Sequence, residues 1–207
     1  MTYPLTQQPL LYLASASPRR QELLAQIGLP FALLPQQIDE TVHANEAAED
    51  YVLRMAREKA QAALQDPGCT LGMPVLAADT SVVWQNKILG KPADINEALH
   101  MLTQLSGRRH QVMTAIAVAT RQKIQLKLAT TDVHFRVITP GEMNAYWQTG
   151  EPHDKAGGYA IQGKGAMFIS RIEGSYSNVV GLPLFETTQL LASCGISSTA
   201  VLTWGVR

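Results

Sequence analysis

The stretch from Leu10 to Gly28, LLYLASASPRRQELLAQIG, restricts what this chain can fold into more than any other. It opens with an apolar run, residues 10–14, of the length a buried strand needs. Ser17 is placed to cap a helix whose first position is Pro18, where a missing N–H costs nothing. Leu23, Leu24 and Ile27 give that helix one apolar face, and Gly28 suits its C-terminal stop. Strand, tight turn and helix would gather free backbone N–H groups, the positive end of a helix dipole, the hydroxyls of Ser15 and Ser17, and the guanidiniums of Arg19 and Arg20. That is a phosphate-sized anion site. An ordinary capped helix with solvated arginines has the same local pattern, so the rest of the chain must decide.

The 207 residues carry 17 Lys and Arg against 17 Asp and Glu, a formal net charge of zero. Long nucleic acid and an anionic membrane are therefore poor main partners, and anion binding has to come from a local cluster. Cys69 and Cys194 have neither metal nor redox spacing and read as free thiols of a reducing compartment. No apolar run approaches membrane-spanning length and no signal-peptide progression opens the chain, which points to the cytoplasm. Residues 1–9 read as a lead-in and residues 10–207 as one domain.

Residues 31–34 read as a second short strand, followed by Glu40 in polar surroundings that suit a solvated loop acid equally well. Over residues 46–64 apolar side chains recur with helical spacing at Val52, Met55, Ala56, Ala60 and Ala63, with Lys59 on the same stripe. A lysine there must snorkel out or meet an anion. After the break at Asp66-Pro-Gly68, residues 74–79 read as a buried strand ending in the Asp79 carboxylate, with Thr80 next. Open α/β sheets place catalytic groups and metal ligands there, and a satisfied turn aspartate is the plain alternative. Gln85-Asn86 reads as a hairpin turn that delivers Gly90-Lys91-Pro92. Asp94 with Glu97, and Thr139 with Pro140 and Glu142, mark helix starts. Between them lie strands over 112–119, 124–129 and 131–138, the last alternating apolar and polar residues. Residues 151–165 are polar and glycine-dense, 166–171 a strand, 175–181 a loop, and Pro183 opens a final helix over Phe185, Leu190 and Leu191. The irregular alternation predicts an α/β fold with a mixed sheet and helices packed on it.

The candidate site groups are cations and hydroxyls (Ser15, Ser17, Arg19, Arg20, Lys59, Lys91, Lys155) with the carboxylates Glu40, Asp79 and Asp154. This mix suits a polyphosphate substrate and a hard divalent cation, with one acid activating water. A P-loop, a dinucleotide-binding glycine pattern and zinc spacing are all missing, and the five histidines read as surface or packing residues.

Ala14-Ser-Ala-Ser-Pro-Arg-Arg-Gln-Glu-Leu-Leu24, Ala56-Arg-Glu-Lys-Ala60, Ala78-Asp-Thr80, Gly90-Lys-Pro92, Gly150-Glu-Pro-His-Asp-Lys-Ala-Gly157 and Ile161-Gln-Gly163 together resemble the Maf family over about residues 10–191. Ala16 departs slightly from the family pattern and is harmless unless the turn needs a positive φ. The resemblance implies an inosine-triphosphatase-like fold, an elongated mixed sheet flanked by helices with a cleft between two lobes. It implies a nucleoside triphosphate pyrophosphatase that needs Mg²⁺ or Mn²⁺. Asp79 would be the general base, and Glu40 and Asp79 the metal holders. Ser15, Arg20, Lys59 and Lys91 would make phosphate and active-site contacts. Arg19, Thr80 and Gln162 are similar to the trio of the branch acting on dTTP and UTP. Homodimers, restraint of septum formation and removal of modified pyrimidine nucleotides are associated with this family. Two rival readings are a sugar-nucleotide-type nucleotidyltransferase, which lacks its glycine-rich loop here, and a non-catalytic nucleotide-binding division regulator, which leaves the acids unexplained.

Overall fold

A computed structural model describes residues 8–203, so most of the expected lead-in lies outside the described residues. The chain runs β1 (Leu11–Leu13), α1 (Pro18–Gln26), β2 (Phe31–Leu33), α2 (Ala48–Gln65), β3 (Val75–Trp84) and β4 (Lys87–Leu89). It continues with α3 (Ile95–Leu105), β5 (Arg109–Ala119), β6 (Ile124–Phe135) and α4 (Pro140–Trp147). Three short 3₁₀ turns fall within residues 151–168, and then come β7 (Ile169–Glu173), α5 (Tyr176–Val180), α6 (Leu184–Ala192) and α7 (Ser198–Thr203). The strands form one mixed, seven-stranded sheet in the order β2-β1-β3-β5-β6-β7, with β4 hydrogen-bonded to β3 outside that path.

Period-2 alternation along β3 distributes the core. Val75 and Ala77 face α2, whose stripe of Val52, Met55, Ala56, Ala60 and Ala63 is buried against them and against Met113, Ala115 and Ala117 of β5. So many alanines let the helix lie close on the sheet. Leu76 and Ala78 face the other way, onto Leu23 and Leu24 of α1 and Leu190 and Leu191 of α6. Fully burying one such leucine is worth about 1.5–3 kcal/mol. A third cluster joins Leu102 and Leu105 of α3, Met143 and Tyr146 of α4, Phe135 and Phe168 beyond the far end of β3.

One edge of β3 is split. β5 follows the other edge without interruption from Val75 to Val83. On the split edge β1 reaches only Val75 and Leu76, and β4 only Val82 to Trp84. Residues 77–81 there have no ladder partner, and the loop after β1 runs into the gap. The sheet forks at Asp79.

Several local expectations change. β3 does not end at Asp79 but continues through it, because the buried β5 partner holds the ladder straight past the carboxylate. The strands expected over 124–129 and 131–138 are one, β6, which stops at Phe135, so Val137 is exposed. The strand expected from residue 166 starts at Ile169, after a 3₁₀ turn, and the loop expected over 175–181 contains α5, capped by Ser175. The helix after Pro183 is followed by α7, and Phe185 on it is exposed. Ser17 starts α1 without a side-chain cap. The hairpin at Gln85-Asn86 forms with φ of 49° and 61°, the primed-turn conformation that matches strand twist. Ala16 is not among the positive-φ residues, so its turn tolerates a side chain.

Candidate active site

The alternation that builds the core also builds the site. Asp79 continues the row of Val75 and Ala77 toward α2, and Thr80 continues the row of Leu76 and Ala78 toward α1. Each meets the cation that its helix carries. Lys59 of α2 places its Nζ 2.7 Å from Asp79 Oδ1 and 2.6 Å from Glu40 Oε1. The stripe that looked expensive for a lysine is thus aimed at two acids. Glu40 itself sits on the loop after β2, fastened by the Tyr51 hydroxyl, which donates to its carbonyl oxygen at 3.0 Å.

Burial pushes the Asp79 carboxyl above its usual value, against the opposing pull of Lys59 and Arg20. A carboxylate raised in this way is a better base once ionised. Burial works in the same direction on Glu40, but Lys59, Lys91 and Arg20 together outweigh it and hold that acid below its usual value. The two acids of the pair are therefore driven apart, which is how acid and base roles separate in a shared site.

Arg20 of α1 is held on three sides. Its Nε donates to the Gly181 carbonyl at 2.8 Å, Nη1 to Ser15 Oγ at 3.1 Å and Nη2 to Thr80 Oγ1 at 3.1 Å. A guanidinium has five N–H donors, so donors remain for an anion among the described residues. The Ser17 N–H donates to Ser15 Oγ at 3.2 Å, which tightens the turn at the start of α1. Ser15 is buried and Ser17 partly so.

The opposite wall is residues 151–165. Glu151 clamps it, accepting from the Tyr146 hydroxyl at 2.7 Å and from the N–H groups of Lys164 and Gly165 at 2.8 and 3.0 Å. A Cβ on Gly163 would fall onto that carboxylate, so any side chain there would have to push Glu151 out of its clamp. Gly157, at φ +66°, lies against β3, where a Cβ would come within 2.9 Å of Val82. This wall carries Asp154, Lys155 and Gln162. Asp154 pairs with Lys155 and lies 3.9 Å from Arg19 Nη1, so α1 and the far wall touch across the mouth. Lys91, just after β4, closes the side.

All these groups line one cavity of about 550 Å³: Ser15, Ser17, Arg19, Arg20, Glu40, Lys59, Asp79, Thr80, Lys91, Asp154, Lys155 and Gln162 each contribute to its wall. The structure brings every sequence-predicted site residue together. No group of three or more His, Cys, Asp or Glu side chains that could cage a metal occurs among the described residues. The paired carboxylates Asp79 and Glu40 still fit a hard divalent cation, which typically takes one or two carboxylates and completes its shell with water and phosphate oxygens.

Sequence reasoning missed Thr114 and Asn178, buried residues that support Thr80 from behind, and Tyr159, which lines the cavity from the far wall. Thr114 lies in the otherwise apolar stretch from Val112 to Ala119, and its only signal was that one hydroxyl among Val, Met, Ala and Ile. No helix among the described residues is long and apolar enough to cross a membrane.

A protein of Methylobacillus flagellatus called dTTP/UTP pyrophosphatase is 56% identical over 187 residues, covering 90% of this chain and 94% of that protein. One of the same name from Vibrio parahaemolyticus is 53% identical, covering 87% and 95%. A solved structure, that of the Staphylococcus aureus Ham1 protein, aligns over 88% of this chain and 98% of its own at 13% identity with a TM-score of 0.49. The family described as Maf-like protein matches residues 10–194, nearly the whole described chain and every residue of the cavity wall named above, and this chain belongs to that family.

Proposed function

We propose that this protein is a nucleoside triphosphate pyrophosphatase that hydrolyses dTTP and UTP to the monophosphate and diphosphate. The observation that carries the reading is the pairing of Lys59 with both Asp79 and Glu40 at 2.7 and 2.6 Å beside an arginine that has donors to spare. Asp79 takes a proton from a water whose oxygen attacks the α-phosphorus. The bond from that phosphorus to the bridging oxygen breaks, and diphosphate leaves with the electron pair. Arg20, Ser15, Lys59 and Lys91 bind the triphosphate oxygens and stabilise charge as it shifts toward the leaving group. Arg19 and Lys155 stand at the mouth, paired through Asp154, and guide the tail inward. Asp79 and Glu40 would hold a divalent cation, Mg²⁺ or Mn²⁺, which when bound neutralises phosphate charge. Gln162 reads the base, because its amide offers a donor for O4 and an acceptor for N3–H of uracil or thymine.

Release of diphosphate from a panel of nucleoside triphosphates, detected after inorganic pyrophosphatase treatment, tests the reading. Turnover of dTTP and UTP well above that of CTP and the purine nucleotides is expected. Substitution of Gln162 should move the dTTP-to-CTP ratio more than it moves the melting temperature. A panel with no diphosphate released from any nucleotide refutes the enzymatic reading.

A further inference from the structure

Asp79 and Glu40 reach the site by different routes. Asp79 rides on a core strand and its side chain is 12% exposed, whereas that of Glu40 is 51% exposed. Residues 34–47 form no helix or strand, and residues 39–45 are all exposed. The last apolar anchor before Glu40 is Ile38, which packs against the α2 cluster. Beyond it only polar attachments fix the segment. Helix α2 supplies them from one face, where Tyr51, Arg54 and Lys59 follow helical spacing. The Arg54 fork grips Glu46, Nε to Oε1 at 2.6 Å and Nη2 to Oε2 at 2.7 Å. Nη2 also donates to the carbonyl of Thr41, the residue after Glu40, at 3.0 Å. Glu46 in turn accepts from the His43 N–H at 3.0 Å. On the other side of Glu40, Asp39 accepts from the Thr41 N–H and hydroxyl at 2.9 and 2.6 Å, which turns the backbone at Glu40. The Arg54 guanidinium carbon also lies 5.5 Å from the centroid of the Tyr51 ring, whose hydroxyl holds the Glu40 carbonyl. Arg54, Thr41 and Glu46 do not line the cavity.

We propose that Arg54 is a positioning residue for the reaction, holding residues 39–46 so that Glu40 meets Lys59 beside Asp79. The inference rests on the pyrophosphatase reading above and deepens it. Without the clamp an exposed segment samples many backbone conformations, and most of them carry the Glu40 carboxylate off Lys59. Glu40 then offers a divalent cation its oxygen only part of the time, and small misplacements of this kind are costly in rate. The tail contacts do not depend on the clamp, because Ser15 and Arg20 belong to β1 and α1 and Lys91 follows β4. Lysine cannot stand in for Arg54. It keeps a charge near Glu58, which lies 3.5 Å from Nη1 within α2, but a point charge cannot span Glu46 and the Thr41 carbonyl together.

The test compares the native protein with Arg54→Lys and Glu46→Gln, which break the same clamp from its two sides. Hydrogen–deuterium exchange reads the segment, and dTTP hydrolysis at varied Mn²⁺ reads the site. Both variants should speed exchange of the 40–46 amides about tenfold, the scale of one lost charged hydrogen bond. In both, kcat should fall and half-saturating Mn²⁺ rise by about the same factor, with KM for dTTP within about twofold of native. A merely loosened fold does not move the metal requirement in step with exchange of one segment. Adding Arg54→Lys to Glu40→Gln should lower kcat no further, because the clamp acts through a carboxylate already gone. Native exchange over 40–46, or faster exchange with native kcat and Mn²⁺ requirement, overturns the proposal, as does a further loss in the double variant. If Arg54→Lys fails to fold, Glu46→Gln, which lies outside α2, decides on the same readouts. A native enzyme that releases no diphosphate from any nucleotide instead removes the reading beneath, and leaves the exchange result standing.

Discussion

Two polar systems lie on opposite walls of the same cavity and differ in completeness. The Glu151 carboxylate is saturated by its own neighbourhood, with Tyr146, Lys164 and Gly165 all donating to it. The wall of α1, α2 and β3 is unfinished: Arg20 and Ser15 keep donors unspent, and Lys59 holds two acids that a single ammonium cannot fully satisfy. A saturated network fixes the shape of a segment, whereas an unsaturated one leaves free energy to be gained on binding. The difference assigns scaffolding to the first wall and chemistry to the second.

The assignment breaks most directly at Asp79. Asp79→Asn keeps the shape and removes the base, so turnover of dTTP should fall on the order of 10²–10⁴-fold while the melting temperature stays near native. Steady-state kinetics and thermal unfolding check both halves, and near-native turnover would return Asp79 to the structural class. Glu151→Gln should do the opposite. It weakens a charged acceptor with three donors, costing about 1–3 kcal/mol of stability, and lowers turnover only as far as the far wall loosens. Denaturant titration measures the first and the kcat-against-KM split the second.

A third test uses acid. His110 is buried, its Nε2 2.7 Å from the Tyr159 hydroxyl and its ring edge-on to Phe135, and burial lowers it from 6.5 to about 3. The folded chain refuses a proton that the unfolded chain accepts, so this site's contribution is full above pH 6.5 and is lost as pH falls toward about 3. His110→Gln should flatten the loss of stability between those limits, seen in unfolding midpoints at pH 7 and 4. An identical slope would place the acid sensitivity elsewhere. The smallest effect is expected at the exposed cap of α4, where Arg136 first and Thr139 next hold the Glu142 carboxyl down to about 2. That contribution is present above the ordinary 4.5 and lost as pH falls toward about 2, and Glu142→Gln should shift the acid limb there by an amount near the limit of a melting experiment.

Much of the site was legible because its motifs are local. The α2 stripe exposed Lys59 as a lysine out of place, and the turn after β1 announced an anion site through hydroxyls and arginines within five positions. What failed was local in another sense. β3 was read as ending at Asp79 because a carboxylate after an apolar run resembles a terminus, while the real strand persists through pairing with β5, some 30 or more positions away in sequence. The α5 segment read as a loop because five residues between serine and glycine carry too little periodicity for a helix, yet Asn178 within it is fully buried.

From the order of residues alone came the strand-turn-helix opening, the helical stripe of α2, the capped starts of α3 and α4, the primed hairpin turn, and the kinds of side chain a polyphosphate requires. Each depends on neighbours a few positions apart, where spacing and chemistry suffice. The tertiary structure decided the rest: that β1 and β4 leave a gap on one edge of β3, that Asp79 and Thr80 face different helices across that gap, and that Thr80 rests on a buried threonine from the neighbouring strand. Those facts depend on strand register and on contacts between distant segments, which only the packing of the whole chain determines.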